Sequence, residues 1–175
     1  MTQINKMELK QIKLLAMDVD GVLTDGTITV CSDGTESKSF HLLDGHGIRM
    51  WQRAGLRTAL ISGRQSEVTK KRADELNIEF LYQPCQQKLV CFEKLLSDSG
   101  LDAKNIAYVG DDLLDLPIVR RAGFGVAVAN AVDELKNAAH YVTSRTGGKG
   151  AVREVIEYIL KNTGQWDALM ERYLV

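Results

Sequence analysis

The sequence predicts an α/β fold in which a central parallel sheet is covered by helices on both faces. Short apolar runs alternate along the chain with amphipathic stretches of helical period. Alternation at this spacing requires crossover connections between strands, which are right-handed and produce a parallel sheet. No internal repeat, low-complexity tract or linker interrupts the 175 residues, so we expect a single domain, 1–175.

The apolar runs predict strands at 12–17, 57–61, 79–82, 106–109, 125–128 and 140–142. The amphipathic stretches predict helices at 46–54, 65–76, 86–99, 113–121, 131–138 and 149–161. A β-hairpin insertion, 26–40, is predicted after the first strand, with arms 26–31 and 35–40 joined by Ser32-Asp33-Gly34. Its β-branched first arm is a candidate pairing surface between subunits, and a plain surface hairpin is the alternative.

The composition is that of an ordinary globular protein, with 45% hydrophobic and 26% charged residues. A net charge of −1 argues against a nucleic-acid partner. The three cysteines are odd in number and form no CxxC pair, so we expect no disulfide framework and a reducing, cytoplasmic location. No apolar run approaches the roughly 20 residues that span a bilayer, and residues 1–13 lack the apolar core of a signal peptide, so we expect no membrane partner.

Carboxylates follow two of the predicted strands. Asp18 and Asp20 come after the first strand, on the same side of an extended chain. Asp111, Asp112 and Asp115 come after the strand at 106–109. If both strands are central and parallel, these side chains meet beyond the carboxyl ends of the strands, where open α/β sheets bind ligands.

Such a group of carboxylates requires a cation. Two carboxylates about 4 Å apart repel by roughly 4 kcal/mol at an effective dielectric constant near 20. The candidate ligands are hard oxygens, without a cluster of His or Cys, which predicts Mg²⁺. Each piece alone has a simpler explanation, because an isolated DxD is usually a solvated turn and Asp111-Asp112 could only cap a helix.

Two further elements fit the binding of a phosphate. Ser62, Gly63 and Arg64 follow an apolar strand, and they place a hydroxyl and backbone N–H groups at the start of a helix. Lys88 lies near the start of the following helix, where its charge could neutralise a phosphate.

In this order the motifs resemble the haloacid dehalogenase (HAD) superfamily of phosphatases, which implies a Rossmann-like fold. Within it, four stretches are similar to the family of 3-deoxy-D-manno-octulosonate 8-phosphate phosphatases, which act in lipopolysaccharide sugar biosynthesis. They are DVDGVLTDG (18–26), FHLLDGHGI (40–48), Ser62-Gly63-Arg64 and GGKGAVRE (147–154). The similarity covers about residues 10–160.

The resemblance implies a Mg²⁺-dependent phosphomonoesterase. Asp18 would be the nucleophile and Asp20 the general acid and base. Mg²⁺ would be held by Asp18, the backbone carbonyl of Asp20 and Asp111, with Asp112 behind them. The phosphoryl oxygens would be bound by Ser62 and Lys88, and Asp115 would orient Lys88.

The implied substrate is an acidic sugar phosphate, which carries a carboxylate besides its phosphate. Arg64, Arg49 and Arg72 are candidates for that carboxylate, because guanidinium matches it with two hydrogen bonds. The resemblance adds His41, Asp44, Gly45 and Gly63 as substrate contacts. The sequence departs from some relatives at Leu43, where they have a basic residue.

The spacing between Ser62 and Lys88 leaves no room for a cap domain, so another element must exclude water from the site. In the family it resembles, hairpins assemble a homotetramer whose neighbouring subunit covers the site, and we expect the same here. The tail, 163–175, carries apolar residues at helical spacing. It could reach a neighbouring site or pack on its own chain.

Three alternatives stand beside this interpretation. The first is a phosphatase of a nine-carbon, sialic-acid-type 9-phosphate, against which Arg64 argues, because such relatives tend to have an acidic residue there. The second is a receiver-like signalling domain, but a receiver has its acidic pair on the first strand and its phosphoacceptor on a later one. The third is a catalytically silent scaffold, against which the intact Asp18, Asp20, Lys88 and Asp111 argue.

Overall fold

The structure, a computed structural model, describes residues 6–175. Within them the strands β1 to β8 cover Leu14–Met17, Thr29–Val30, Glu36–Ser37, Arg57–Ile61, Phe80–Tyr82, Ile106–Gly110, Phe124–Ala127 and Tyr141–Val142. The helices α1 to α8 cover Lys6–Leu9, Leu42–Arg53, Glu67–Leu76, Lys88–Ser99, Leu116–Val119, Asp133–Ala138, Ala151–Thr163 and Trp166–Met170. Short 3₁₀ turns cover Ala103–Asn105, Leu113–Asp115 and Glu171–Tyr173.

Six strands form one parallel sheet in the order β5–β4–β1–β6–β7–β8. The first strand is central, because Leu14 pairs with Arg57 of β4 on one side and with Ile106 of β6 on the other. After β1 the chain forms β4 and β5 on one side of it, and then β6, β7 and β8 on the other. Because β1, β4 and β6 are parallel neighbours, their carboxyl ends lie side by side, and the segments that follow them begin there. Open α/β sheets bind ligands at this point.

Helices cover the sheet in two groups, as the predicted Rossmann-like fold requires. On one side α2 packs against α3 and α7, and on the other α5 packs against α4 and α6. Every residue of the inner strands β1, β6 and β7 is buried, and the edge strands β5 and β8 are partly buried. Trp51 of α2 is also fully buried, and its indole N–H donates to the Arg57 carbonyl at 2.8 Å, which ties α2 to the start of β4.

The prediction of alternating strands and helices is confirmed, with differences at particular elements. The hairpin pairs only two residues on each arm, Thr29 with Ser37 and Val30 with Glu36. The helix predicted at 46–54 begins at Leu42, directly after the hairpin. The helix predicted at 113–121 is a 3₁₀ turn followed by the short α5, because the Asp115 side chain bonds back to the preceding backbone and tightens the turn.

The cysteines require a correction. We expect no disulfide framework from the sequence, but the structure joins Cys85 to Cys91, with their Cα atoms 6.4 Å apart, within the usual range for a disulfide. The cysteines therefore no longer support a reducing location. The absence of a CxxC pair was a poor guide, because the chain turns into α4 between the two residues and brings a more widely spaced pair together. Cys31 on the hairpin is free and exposed.

Candidate active site

Asp18 and Asp20 lie in the turn that follows β1. The Asp18 N–H donates to the Val109 carbonyl of β6 at 3.0 Å, which fixes the start of the turn against the sheet. Asp18 is buried, with 6% of its surface exposed. The turn then closes through Gly21, whose φ of +91° lies in the left-handed region that favours glycine.

Asp115 organises the second acidic segment, after β6. Its side chain is fully buried and accepts from the backbone N–H groups of Asp111 at 3.0 Å and Asp112 at 3.3 Å. Gly110 permits this turn, because a Cβ atom there would lie 2.4 Å from the Asp115 Cβ. The GDDxxD spacing is therefore a folding requirement of the loop as well as a source of carboxylates.

Lys88 joins the two acidic segments. It is the first residue of α4, it is almost fully buried, and its ammonium lies 2.9 Å from Asp18 Oδ1 and 2.6 Å from Asp115 Oδ1. The Tyr108 hydroxyl of β6 donates to the same Asp115 oxygen at 2.5 Å. The Cys85–Cys91 disulfide spans Lys88 in the sequence and cross-links the chain on either side of it.

The electrostatics of this group favour the binding of a cation. Burial raises the pKa of Asp18 well above its usual value, and the Asp115 charge raises it further, against the opposing effect of Lys88. Burial, followed by the Asp115 charge, raises the pKa of Asp111 to about 6. Burial lowers the pKa of Lys88, but Asp18 and Asp115 outweigh it and the net shift is upward. One ammonium therefore leaves the carboxylates incompletely neutralised.

A divalent cation fits these residues. Oxygens of Asp18, Asp111 and Asp115 lie within 4.8 Å of one another, and Asp111 Oδ1 is buried without a hydrogen-bond partner among the described residues. Asp115 already accepts four hydrogen bonds, so Asp18 and Asp111 are the members of the group with free ligand atoms. Carboxylate oxygens are the ligands that Mg²⁺ prefers.

A cavity of about 180 Å³ opens above the acidic group, and its lining contains Asp18, Asp20, Gly63, Arg64, Lys88, Asp111, Asp112 and Leu114. Ser62, at the end of β4, is buried beside it, and its hydroxyl lies 3.3 Å from the Arg64 N–H and 3.1 Å from the Arg64 carbonyl. A larger concavity of about 420 Å³ lies around Glu154 on α7, without any of these carboxylates. The chemistry belongs to the smaller cavity, because the buried charges meet there.

Other residues predicted to contact substrate lie elsewhere in the chain. Arg49, Arg72 and Gly45 line a separate concavity of about 210 Å³. Asp44 is buried and accepts from the backbone N–H groups of Gly150 at 3.1 Å and Arg153 at 2.8 Å, so that it caps α7. The structure therefore uses Asp44 to join α2 to α7, away from the acidic cavity.

His41 and Gly45 lie at the start of α2. His41 is the N-cap residue, and its Nδ1 atom is buried without a partner among the described residues. Gly45 packs closely, since a Cβ atom there would lie 2.5 Å from Arg72 Nη2. Neither residue lines the acidic cavity.

The GGKG segment before α7 supports the acidic turn from behind. A Cβ atom on Gly147 would lie 1.7 Å from the Gly21 carbonyl oxygen, and the Gly148 N–H donates to the Val22 carbonyl at 2.9 Å. This motif therefore acts through close backbone packing.

The C-terminal tail packs on its own chain. Trp166 and Leu169 of α8 are partly buried against the core. The Tyr173 hydroxyl accepts from Arg53 Nη1 at 2.8 Å and lies 2.9 Å from His46 Nε2, both on α2. These contacts lie within one chain and involve Trp166, Leu169 and Tyr173.

One charged residue at the site was missed by sequence reasoning. Lys38, next to β3 of the hairpin, places its ammonium 2.7 Å from Asp20 Oδ1. The available signal was that Glu36 and Lys38 alternate on the second arm and so face the same side, toward the acidic turn.

Comparisons with known proteins agree with this geometry. Residues 80–156 match the model of the haloacid dehalogenase-like hydrolase family. The chain is 43% identical over 158 residues to the 3-deoxy-D-manno-octulosonate 8-phosphate phosphatase KdsC of Escherichia coli K12, covering 90% of this chain and 84% of that one. In the part of the chain that the structure describes, no helix is long and apolar enough to cross a membrane.

Two solved structures are similar over almost the whole chain. A 3-deoxy-D-manno-octulosonate 8-phosphate phosphatase from Moraxella catarrhalis, crystallised with a magnesium ion, a phosphate ion and KDO, superposes with a TM-score of 0.93. It is 43% identical, and the match covers 96% of this chain and 97% of that one. A probable YrbI-family phosphatase from Pseudomonas syringae has a TM-score of 0.94 and 46% identity, with 97% of each chain covered.

Proposed function

Because this chain belongs to the 3-deoxy-D-manno-octulosonate 8-phosphate phosphatase family of haloacid dehalogenase-like hydrolases, we propose that it releases phosphate from that sugar phosphate with Mg²⁺. The products are 3-deoxy-D-manno-octulosonate, a lipopolysaccharide sugar, and inorganic phosphate. The proposal rests above all on one observation, that the Lys88 ammonium contacts both Asp18 and Asp115 where three strands end. This arrangement supplies a nucleophile, a fixed cation and a place for an anion.

Asp18 attacks the phosphorus atom in the first step. A bond forms between an Asp18 oxygen and phosphorus, and the bond from phosphorus to the sugar oxygen breaks. The carboxylate needs no proton removed, and Lys88 holds it in one orientation at 2.9 Å. Phosphoryl transfer depends mainly on such positioning and on charge neutralisation.

Asp20 handles the proton in both steps. It donates a proton to the sugar oxygen as that oxygen leaves, and the resulting carboxylate then takes a proton from the water that hydrolyses the aspartyl phosphate. Its place in the cavity lining, two residues from Asp18, supports this role.

Mg²⁺ would be held by Asp18, Asp111 and the backbone carbonyl of Asp20, where it neutralises carboxylate and phosphoryl charge when bound. Asp112 lines the cavity beside these ligands and would act on the metal only indirectly, and Asp115 orients Lys88. Ser62 and the backbone of Gly63 bind phosphoryl oxygens together with Lys88, while Arg64 at the cavity edge binds the sugar carboxylate.

We propose that the protein forms a homotetramer through the hairpin 26–40. In support, β2 and β3 form a sheet of their own apart from the central sheet, and Val30 is 66% exposed. Arg49 and Arg72 lie outside the acidic cavity of their own chain, so they could contact substrate only from a neighbouring subunit. Light scattering at micromolar concentration tests this assembly, and a monomer there would contradict it.

We also propose that the reaction takes place in the cytoplasm, because a phosphorylated sugar carries charges that prevent its free passage across a bilayer. Fractionation of cells that express the protein, with immunodetection in each fraction, tests this location. Recovery outside the cytoplasmic fraction would contradict it.

The reaction is tested by phosphate release from a panel of sugar-acid phosphates, with Mg²⁺ and with EDTA. We expect turnover concentrated on 3-deoxy-D-manno-octulosonate 8-phosphate, and its loss in EDTA and in Asp18→Asn. Equal activity of Asp18→Asn would refute the mechanism. Preference for a nine-carbon sugar-acid 9-phosphate would refute only the substrate.

A further inference from the structure

The Lys38 side chain is buried between the hairpin and the acidic turn. Its side chain has 0% of its surface exposed. The ammonium lies 2.7 Å from Asp20 Oδ1, 3.3 Å from Thr69 Oγ1 of α3 and 3.5 Å from Glu36 Oε1. The contact with Thr69 is a hydrogen bond, and the contacts with Asp20 and Glu36 are ion pairs. Among the described residues, Lys38 is thus the cation that faces the buried Asp20 Oδ1, an atom without a hydrogen-bond partner.

This lysine does not line the acidic cavity, although Asp20 does. Its contact takes Asp20 Oδ1, which leaves Oδ2 for the leaving oxygen. Lys88 has different partners, because its ammonium pairs with Asp18 and Asp115. The site therefore has two buried lysines with different partners, one on Asp18 and Asp115 and the other on Asp20.

The hairpin holds Lys38 in place through Glu36. The Ser66 hydroxyl, which caps α3, donates to Glu36 Oε1 at 2.6 Å, and Arg64 donates to Glu36 Oε2 at 3.0 Å. These contacts fasten the second arm of the hairpin to the start of α3. Because Lys38 lies two residues beyond Glu36, the fastening also determines where its ammonium lies.

We propose that Lys38 is a positioning residue that orients the Asp20 carboxyl toward the leaving oxygen of the substrate. The inference rests on the proposed function, since it concerns the proton transfer by Asp20. The hairpin therefore acts in the reaction of its own chain, in addition to any part in assembly.

The test compares two esters that differ in their need for a proton. An alkoxide such as the sugar oxygen leaves poorly unless it is protonated, whereas p-nitrophenolate leaves readily without help. In Lys38→Met, we expect kcat/KM on the sugar phosphate to fall about 100-fold, within the range of general acid catalysis. On p-nitrophenyl phosphate we expect a fall of less than about 5-fold. Lys38→Arg keeps a buried cation and should recover at least about 10-fold of the loss.

Lys70→Met is the matched control, because it makes the same substitution at an exposed lysine of α3, next to Thr69, and leaves every partner of Lys38 and Asp20 in place. We expect it to stay within about 3-fold of the wild type on both esters. Equal losses on both esters in Lys38→Met, unchanged activity, or an equal loss in Lys70→Met would overturn the positioning role. Wild-type activity on a different alkyl phosphate would refute the proposed substrate alone, and the comparison is then made on that ester. A wild type that hydrolyses neither ester overturns both proposals.

Discussion

Replacement of Lys88 by Met would test whether the charge cluster determines stability as well as chemistry. Methionine keeps most of the length and apolar surface of the side chain and removes the ammonium. Asp18 and Asp115 would then lie buried, without the cation that contacts both at 2.9 and 2.6 Å. We expect a large loss of stability, because removal of one partner of a buried ion pair leaves an uncompensated charge.

The magnitude follows from the two distances. Each contact corresponds to a Coulomb energy of about 6 kcal/mol at an effective dielectric constant near 20. Desolvation of the ammonium, which methionine avoids, offsets several kcal/mol of that sum. The net decrease in the free energy of unfolding should therefore be about 3–5 kcal/mol near neutral pH.

The loss should shrink in acid. The pKa of Asp18 in the folded protein is already raised above its unfolded value by burial, and without Lys88 it rises further. A group whose pKa is raised by folding binds more protons in the folded state, so stability falls as pH rises through that folded pKa. The Lys88→Met protein should thus recover part of its stability at about pH 5 compared with about pH 7.5.

Urea denaturation in metal-free buffer at both pH values measures the effect. Lys94→Met on the same helix is the matched control, because Lys94 is 62% exposed and its pair with Asp98 should contribute less than about 0.5 kcal/mol. If Lys88→Met destabilises no more than Lys94→Met, or if its loss grows in acid, the account of the cluster is wrong.

Three further predictions follow from the site and its supports. The Mg²⁺ affinity should fall about 10-fold per pH unit below about 6, where Asp111 takes up a proton, as measured by calorimetry; a pH-independent dissociation constant would argue against Asp111 as a ligand. Asp44→Ala should lower the free energy of unfolding, measured by urea denaturation, by about 1–3 kcal/mol, because it removes the α7 cap. Its KM should stay within about 3-fold of the wild-type value, and a 10-fold rise would instead support a substrate contact. In Gly147→Ala the new Cβ atom would overlap the Gly21 carbonyl and displace the acidic turn, so kcat/KM should fall by at least about 100-fold. A fully active variant would exclude this packing role.

The acidic part of the site could be predicted because its residues are local to strand ends. Asp18 and Asp111 each follow a short apolar run that can be identified as a strand from the sequence. Parallel pairing of the two strands then brings the two side chains together. Lys88 was found for the same reason, at the start of the helix after β5.

Residues whose position depends on packing between distant elements could not be predicted in the same way. Asp44 caps α7 only because α2 packs against the start of that helix, and this contact cannot be predicted from the local sequence of either helix. Lys38 depends on the angle at which the hairpin folds back on α3. The Cys85–Cys91 bond depends on the path of the loop into α4, which spacing rules do not describe.

The central position of β1 affects the order in which the protein can form during synthesis. Its partners β4 and β6 end at positions 61 and 110 of a chain of 175 residues. A ribosome-bound chain therefore displays Asp18 and then Lys88 before the strand that completes their surroundings exists. Until Gly110 and Asp115 emerge, one edge of β1 is unpaired and the Asp18 carboxyl lacks the strand that lies beside it. We expect the ability to bind Mg²⁺ to appear abruptly once β6 docks, late in translation.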